Sequence, residues 1–559
     1  MAQSKKGAVV KQAAFLMAAQ MTSSVIGLLY RSPLKHFMGD IGAGYYQYAF
    51  EWYTIILLIA SYSIPSAVSK VMAERLAVKR YRDAFKVFKA ALIYVFCAGT
   101  IGGFFAFFGA PFILKKSPDA VLALRVLAPT IFMSGFLGVL RGFFQAHNTM
   151  KPTAVSQIAE QIMNAVFSVL MACLLTRPFI GNAAGMGKFG AAGGTIGTGA
   201  GVLTGLLVML LTYLMNHDIV TDRVERDSHT EEETYAQVFR VIFYMCTPII
   251  LATCVYNMTS VVDQVIFTQI MTARGGAAEE IASMYGLFGY QVKPIINIPI
   301  ALASATSTAL IPAVATSVAE GSREDAVMKI DECVKLTMFI AIPSAVGVGV
   351  LSYPVIFALY PGVNVKAAAL LLTLGAVSVI FYSLSTVTNG VLQGLGYPRL
   401  PVIHAAAALG VNIVIAVVTV LMGLNVYGIL AATVVYSLTV MVLNARSVHK
   451  LVGYRHSVKQ FLPPVKSAAV MGAAVAAVYW LPRLALPGIF GRYALSALLM
   501  VIAVLAGILI YFAVYGKFAD LSDDELRRMP MGTRILALLR RLHLRKYPAP
   551  AESDRKDDE

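Results

Sequence analysis

Charge is scarce in this 559-residue chain. Only 14% of residues are Asp, Glu, Lys or Arg, and 58% are hydrophobic. An ordinary soluble domain carries roughly 25% charged residues, and no soluble core of this length could absorb the apolar excess. Cysteine is scarce too. Cys97, Cys173, Cys246, Cys254 and Cys333 lie in or at the edges of apolar stretches, and no two make a C-x-x-C pair. They read as small buried hydrophobes. The eight histidines form no cluster with acids or cysteines at metal-ligand spacing, so no metal site is expected. The chain also lacks a Ser-His-Asp set, a glycine-rich phosphate loop and paired carboxylates placed for hydrolysis. It does not read as an enzyme, and no cofactor is expected.

Long apolar runs take the place of these features. Fourteen stretches reach or approach the ~20 residues that cross a bilayer as helix. They are 9–30, 46–70, 86–112, 121–144, 153–176, 190–215, 241–269, 283–314, 333–358, 367–392, 401–423, 427–447, 465–482 and 493–515. Barrel strands would be about 10 residues long and alternating. The expected class is therefore an all-α polytopic membrane protein of about 14 transmembrane helices. The first run follows Lys5 and Lys6 and is longer than a signal-peptide core, so it is expected to remain as a span. Lys and Arg concentrate in alternate loops, with seven between Lys70 and Lys89. The positive-inside rule then places both termini in the cytoplasm. The net charge of +16 reads as this topology signal, with anionic membrane lipids as neighbours. The basic residues are scattered over short loops, which argues against nucleic acid as a partner.

The chain also repeats itself. Ile64-Pro65 to Glu74 returns as Ile311-Pro312 to Glu320, and Gly142-x-x-Gln145 returns as Gly390-x-x-Gln393. The offsets are 247 for Pro65 and Pro312, and 248 for Gln145 and Gln393. Two distant matches at one offset indicate a duplicated membrane unit, a common plan of transporters. The expected division is an N-lobe at 1–216, a linker at 217–237 and a C-lobe at 238–450. A final helix pair follows at 451–516, then a cytoplasmic tail at 517–559. The polar linker is expected to be flexible. The glycine-rich segment 181–205 is expected to let helices approach closely; a flexible external loop is the alternative. Within the tail, 531–546 has leucines at helical spacing among arginines, which fits a basic interfacial helix.

The string RGFFQAHNTMKPTAVSQIAEQ at 141–161 resembles a signature of the MurJ/SpoVB-like polysaccharide flippases. A second match is GAGYYQYAFEWYTIILLIASYSIPSAVSK at 42–70. These flippases belong to the multidrug/oligosaccharidyl-lipid/polysaccharide exporter superfamily. The resemblance extends more loosely to about residue 515 and is closest to the branch found in spore-forming Gram-positive bacteria. It implies two six-helix lobes around a central cavity, alternating access, and no ATP site. It implies an undecaprenyl-pyrophosphate-linked substrate such as lipid II, a bacterial cytoplasmic membrane, and roles in cell-wall, cell-shape or sporulation pathways. It also implies that the last two helices, 465–482 and 493–515, form a groove for a long isoprenoid tail.

A pyrophosphate head group needs a wet cavity with fixed positive charge. The resemblance places Arg31 where such flippases carry a cavity arginine; an interfacial arginine reaching water is the alternative. Relatives often follow that arginine with aspartate, but Ser32 stands here, and Ser24 occupies another family arginine position. Lys293 matches a cavity arginine on the eighth span, where Pro294 and Pro299 are expected to break the helix. Arg141 is expected at the cytoplasmic mouth, with Asn389 as its repeat mate. Asp263, Glu51 and Glu160 are acids inside spans and are candidates for ion coupling. For Glu160, packing with Gln157 and Gln161 is the alternative. Gln145 and Gln393 are expected to close hydrogen bonds at equivalent helix corners. Na+, H+ or the membrane potential remain open as energy source. Two rival readings stay alive: a cation-coupled multidrug exporter of the same superfamily, and a membrane scaffold recruiting cell-wall synthesis proteins through its basic tail.

Overall fold

A computed structural model of the chain describes residues 2–62, 64–216, 225, 227, 233–362, 364–455, 458–485 and 492–518. Among these residues every regular element is helical. In chain order the helices are α1 (Ala2–Leu29), α2 (Arg31–Leu57), α3 (Ile64–Ala77), α4 (Tyr81–Ile113), α5 (Val121–Ala146), α6 (Lys151–Thr176) and α7 (Ala183–Met215). There follow α8 (Tyr235–Ala273), α9 (Ala278–Gly286), α10 (Lys293–Ala319), α11 (Arg323–Val350), α12 (Ser352–Leu359), α13 (Val365–Gly375) and α14 (Val377–Gly394). The last four are α15 (Arg399–Leu421), α16 (Asn425–Val452), α17 (Val458–Ala485) and α18 (Arg492–Phe518). Ten of the fourteen apolar stretches fall on a single helix within a residue or two, and four (46–70, 283–314, 333–358 and 367–392) run over two consecutive helices. By length and hydropathy, ten of the described helices could cross a membrane, or eleven if α13 and α14, bent by 41°, count as one span. The chain is a multi-pass membrane protein. The basic segment 531–546 lies outside the described residues.

Packing groups the chain into two compact units. One comprises residues 1–301 with 397–443, and the other 302–396 with 444–559. The lobes expected from the repeat describe the chain's internal symmetry; these units describe contact.

The two motifs that reveal the repeat touch each other. In the first half, the α5 backbone at Gly142 lies so close to Pro65 that a Cβ there would stand 2.7 Å from the Pro65 carbonyl oxygen. In the second half the comparable approach is one turn further along: Gly394 on α14, four residues after the repeat mate Gly390, would place a Cβ 2.8 Å from the Ile311 carbonyl oxygen. The corners that follow also match. The carbonyl of Gln145 accepts from Asn148 N–H at 2.9 Å, and that of Gln393 from Gly396 N–H at 3.0 Å. Asn148 (φ 55) and Gly396 (φ 86) both take the left-handed conformation that glycine and asparagine tolerate best. The expectation for the glutamines is corrected in one respect. The corners close through backbone carbonyls, and the side chain of Gln145 is half-buried while that of Gln393 is exposed. A carbonyl at a helix end already needs a donor, so the turn requires nothing from the amide.

Glycines at 181–205 do serve close approach. On α7, Gly193 packs on Ala172, Gly197 on Ser168, and Gly201 on Glu160 and Asn164 of α6. The four-residue spacing puts all three on one face. The linker is pinned where it is described. Arg75 donates to the Glu233 carboxylate at 2.5 Å, Asp83 accepts from Glu233 N–H at 2.8 Å, and Asp227 accepts from Arg82 N–H at 2.9 Å.

Two spans contain a π-helical turn. Leu58–Tyr62 precedes α3 and Leu287–Val292 precedes α10. Pro65 and Pro294 each follow closely. Proline donates no N–H, and a wider turn accommodates the lost bond without ending the rod. The expected break at Pro294 and Pro299 is thus a widening before Lys293, with α10 continuing through both prolines.

We expect Gly197→Val to lower stability by about 2–4 kcal/mol, since overpacking of a tight contact costs at least about 1–3 and here the new side chain meets backbone. Thermal unfolding of the detergent-solubilised protein reads this. A variant as stable as the parent would show that α6 and α7 do not pack this closely.

Candidate functional site

The polar residues that interrupt the apolar spans converge. A cavity of about 890 Å³ opens within the first compact unit. It is lined from both halves of the repeat, by residues of α1, α2, α5, α6 and α7 and by residues of α8 and α10. Arg31, Arg141, Lys293, Glu51, Glu160 and Pro65 all face it. Three cations against two carboxylates leave one excess positive charge.

Lys293 begins α10 directly after the π turn. Its Nζ donates to Ser260 Oγ at 2.6 Å and lies 3.5 Å from Glu51 Oε1. Glu51 is only 5% exposed. It also accepts from Gln47 Nε2 at 3.0 Å, one helical turn earlier, and from the Tyr285 hydroxyl at 2.8 Å. A carboxylate this deep is tolerable only with such partners. The pair joins α2 of the first half to α10 of the second.

Arg31 opens α2 at the break after Tyr30. Its Nη1 donates to the Tyr290 carbonyl at 3.1 Å, and the Tyr290 hydroxyl returns a bond to the Arg31 carbonyl at 2.9 Å. The guanidinium sits 4.9 Å from the Tyr290 ring centroid, within cation–π range. Tyr290 stands three residues before Lys293, so it links the two cations expected to act together.

Arg141, near the end of α5, donates to Glu160 Oε2 at 2.7 Å and to Ser156 Oγ at 3.0 Å. Glu160 is therefore the counter-ion of Arg141, beyond any packing with its neighbouring glutamines. The repeat mate Asn389 accepts instead from Asn444 Nδ2 at 2.7 Å, so the second half replaces an ion pair with an amide pair.

Asp263 stands apart from the cavity lining. It is 2% exposed, one oxygen accepts from Thr433 Oγ1 at 3.4 Å, and Oδ1 has no hydrogen-bond partner among the described residues. Gln145 and Gln393 are not among the described residues that line the cavity, and the side chain of Pro312 lies outside the described residues. Sequence reasoning missed Tyr285, Tyr290, Ser260 and Gln47. A signal existed for Gln47, which stands i−4 from Glu51 and shares its helix face; Tyr290 lies in the π turn before Lys293, where α-helical spacing does not apply.

A double-mutant cycle on Glu51→Gln and Lys293→Met should give a coupling energy of about 1–3 kcal/mol in thermal unfolding, as for contacting buried charges. Simple additivity within about 0.3 kcal/mol would mean that the pair does not form.

A family model described as polysaccharide biosynthesis protein matches residues 9–318. A second model, MatE, matches residues 248–418. The Bacillus subtilis protein Lipid II flippase MurJ is 25% identical over 527 residues, covering 91% of this chain and 95% of its own. Stage V sporulation protein B of the same organism is 22% identical over 538 residues, covering 95% and 99%. The solved structure titled Lipid II flippase MurJ, inward closed conformation, aligns with a TM-score of 0.61 at 14% identity, over 90% of this chain and 98% of that one. The eukaryotic MATE transporter AtDTX14 aligns at 0.56 with 16% identity, over 83% and 99%. At these identities the structures speak for the fold alone.

Proposed function

This chain belongs to the polysaccharide biosynthesis protein family of the multidrug/oligosaccharidyl-lipid/polysaccharide exporter superfamily, and from that premise we propose that it flips a polyprenyl-pyrophosphate-linked cell-wall precursor, lipid II or a close relative, across the bacterial cytoplasmic membrane. The observation that carries the reading is the convergence of Arg31, Arg141 and Lys293 on one polar cavity inside apolar helices. The names of the relatives supply the substrate class: a lipid II flippase and a sporulation protein. Both termini lie in the cytoplasm in this proposal, and transport runs from the inner to the outer leaflet by alternating access.

The chemistry follows from charge. A pyrophosphate cannot enter hydrocarbon unpaired. Arg31 offers a forked donor and Lys293 a point charge. Both already hold partners, Tyr290 for Arg31 and Glu51 for Lys293. The substrate therefore exchanges with existing contacts instead of filling bare ones. Because each cation is already neutralised or shielded, the empty cavity does not carry the full cost of three buried charges. Arg141 and its ion pair with Glu160 meet the head group as it enters. In this scheme Asp263, with an unused buried oxygen, is the coupling group, responding to Na+, H+ or the membrane potential. The match of the MatE model to residues 248–418 keeps a cation-coupled exporter as the second reading, since Asp263 lies within it.

Arg31→Ala and Lys293→Ala should each cut flipping of lipid II in proteoliposomes by about tenfold or more, since charge-assisted hydrogen bonds contribute roughly 1.5–3 kcal/mol. Full activity of the double variant at normal expression would remove both residues from the site. Asp263→Asn should flatten the dependence of rate on the ion gradient while leaving substrate binding intact. Drug efflux driven by the gradient, with no flipping, would favour the exporter.

A further inference from the structure

From residue 333 to 519 the sequence contains no Asp or Glu, yet it holds eleven Lys and Arg. Lys335, at its start, reaches back to Asp331 at 2.8 Å; the cations beyond it have no acid within the stretch to pair with. Arg483, near the end of α17, is built in differently.

Its Nη1 donates to the Tyr479 hydroxyl at 2.7 Å, and that hydroxyl shares a second bond with Ser496 Oγ at 2.7 Å. Tyr479 is 0% exposed and Ser496 is buried. This pair of buried hydroxyls fixes the guanidinium from below. Around it stand three rings: Tyr353 at 5.3 Å, Trp480 at 5.5 Å and Tyr479 at 5.8 Å from their centroids. Of five N–H donors on a guanidinium, one is used within the described residues. No carboxylate there pairs with Arg483, and residues 484–491 contain none. The result is a forked donor held in one orientation with most of its valence open.

The surroundings are those of a membrane boundary. Trp480 is 42% exposed and Tyr493 49%, and the Tyr493 hydroxyl donates to the Ala358 carbonyl at 2.8 Å. Aromatic residues of this kind sit at head-group level. Below Tyr493, α18 presents Leu498, Ile502, Leu505 and Leu509, all exposed. Their spacing of four, three and four residues makes one continuous apolar face running down from the cationic end.

We propose that Arg483 and its aromatic cage bind the phosphate of an anionic membrane lipid, whose chains lie along the exposed face of α18. A phosphate supplies the paired oxygens that a fork requires. A zwitterionic lipid supplies the same oxygens but brings its own cation next to Arg483. The site lies in the second compact unit and shares no residue with the described lining of the cavity.

The test uses the full-length protein in nanodiscs, with lipid retention read by mass spectrometry in phosphatidylglycerol or phosphatidylcholine. Arg483→Gln should lower phosphatidylglycerol retention roughly five- to tenfold, the effect of one lipid-facing cation, without changing phosphatidylcholine. Tyr479→Phe keeps the charge and loses only its positioning, and should weaken retention severalfold. Equal retention by Arg483→Gln and the parent, or a parallel loss of both lipids, would overturn the proposal. Displacement of phosphatidylglycerol by about 10 mM inorganic phosphate, far below the effective concentration of a lipid in its own bilayer, would reassign the site to a free anion and overturn the lipid.

Discussion

A charge inside a membrane must travel with its answer. The contact between Lys293 and Glu51 is where this chain meets that constraint, and much of the first unit is arranged around it. Glu51 is held by Gln47 from its own helix and by Tyr285 from the other half, while Lys293 is held by Ser260. The pair thus ties together segments more than two hundred residues apart in sequence. Breaking such a pair leaves a buried ion alone, which costs about 3–5 kcal/mol, so the geometry around it is kept. The same logic recurs at Arg141 and Glu160.

This pairing changes what the cavity is for. A bare ring of cations would bind any anion and hold it. A set of cations already in partnership makes binding a trade, in which the head group must offer better geometry than Glu51 or Tyr290 do. Selectivity and release then have one origin. In the proposed function, the small excess of positive charge would favour entry, and the resident carboxylates departure.

The class of fold was legible because hydrocarbon permits few solutions: helices satisfy their own backbone, and long apolar runs with alternating basic loops leave little choice. In the first half the repeat motifs were legible where Pro65 and Gly142 touch; a contact of that kind restricts both partners at once. The charged members of the site were legible because ions are rare at depth. What the sequence did not reveal was partnership. Nothing near Lys293 in the chain points to Glu51 or Ser260, and nothing near Arg31 points to Tyr290. Those choices are made by packing between distant segments. The glutamine corners show the opposite error: a conspicuous side chain was credited with a bond that the backbone makes by itself.

The two π turns hold a last consequence. Adding the 247-residue offset to Leu58 gives 305, which lies in the regular helix Lys293–Ala319. Subtracting it from Leu287 gives 40, which lies in Arg31–Leu57. The extra residue of each turn therefore sits at a different place in the two copies. One inserted residue rotates everything before it by about 100° relative to everything after. The two copies differ further at Gly39, where α2 leaves helical geometry (φ 68, ψ −174), so corresponding residues need not face the same way. Duplication alone therefore does not fix which side chains a helix turns inward; the position of one wide turn does.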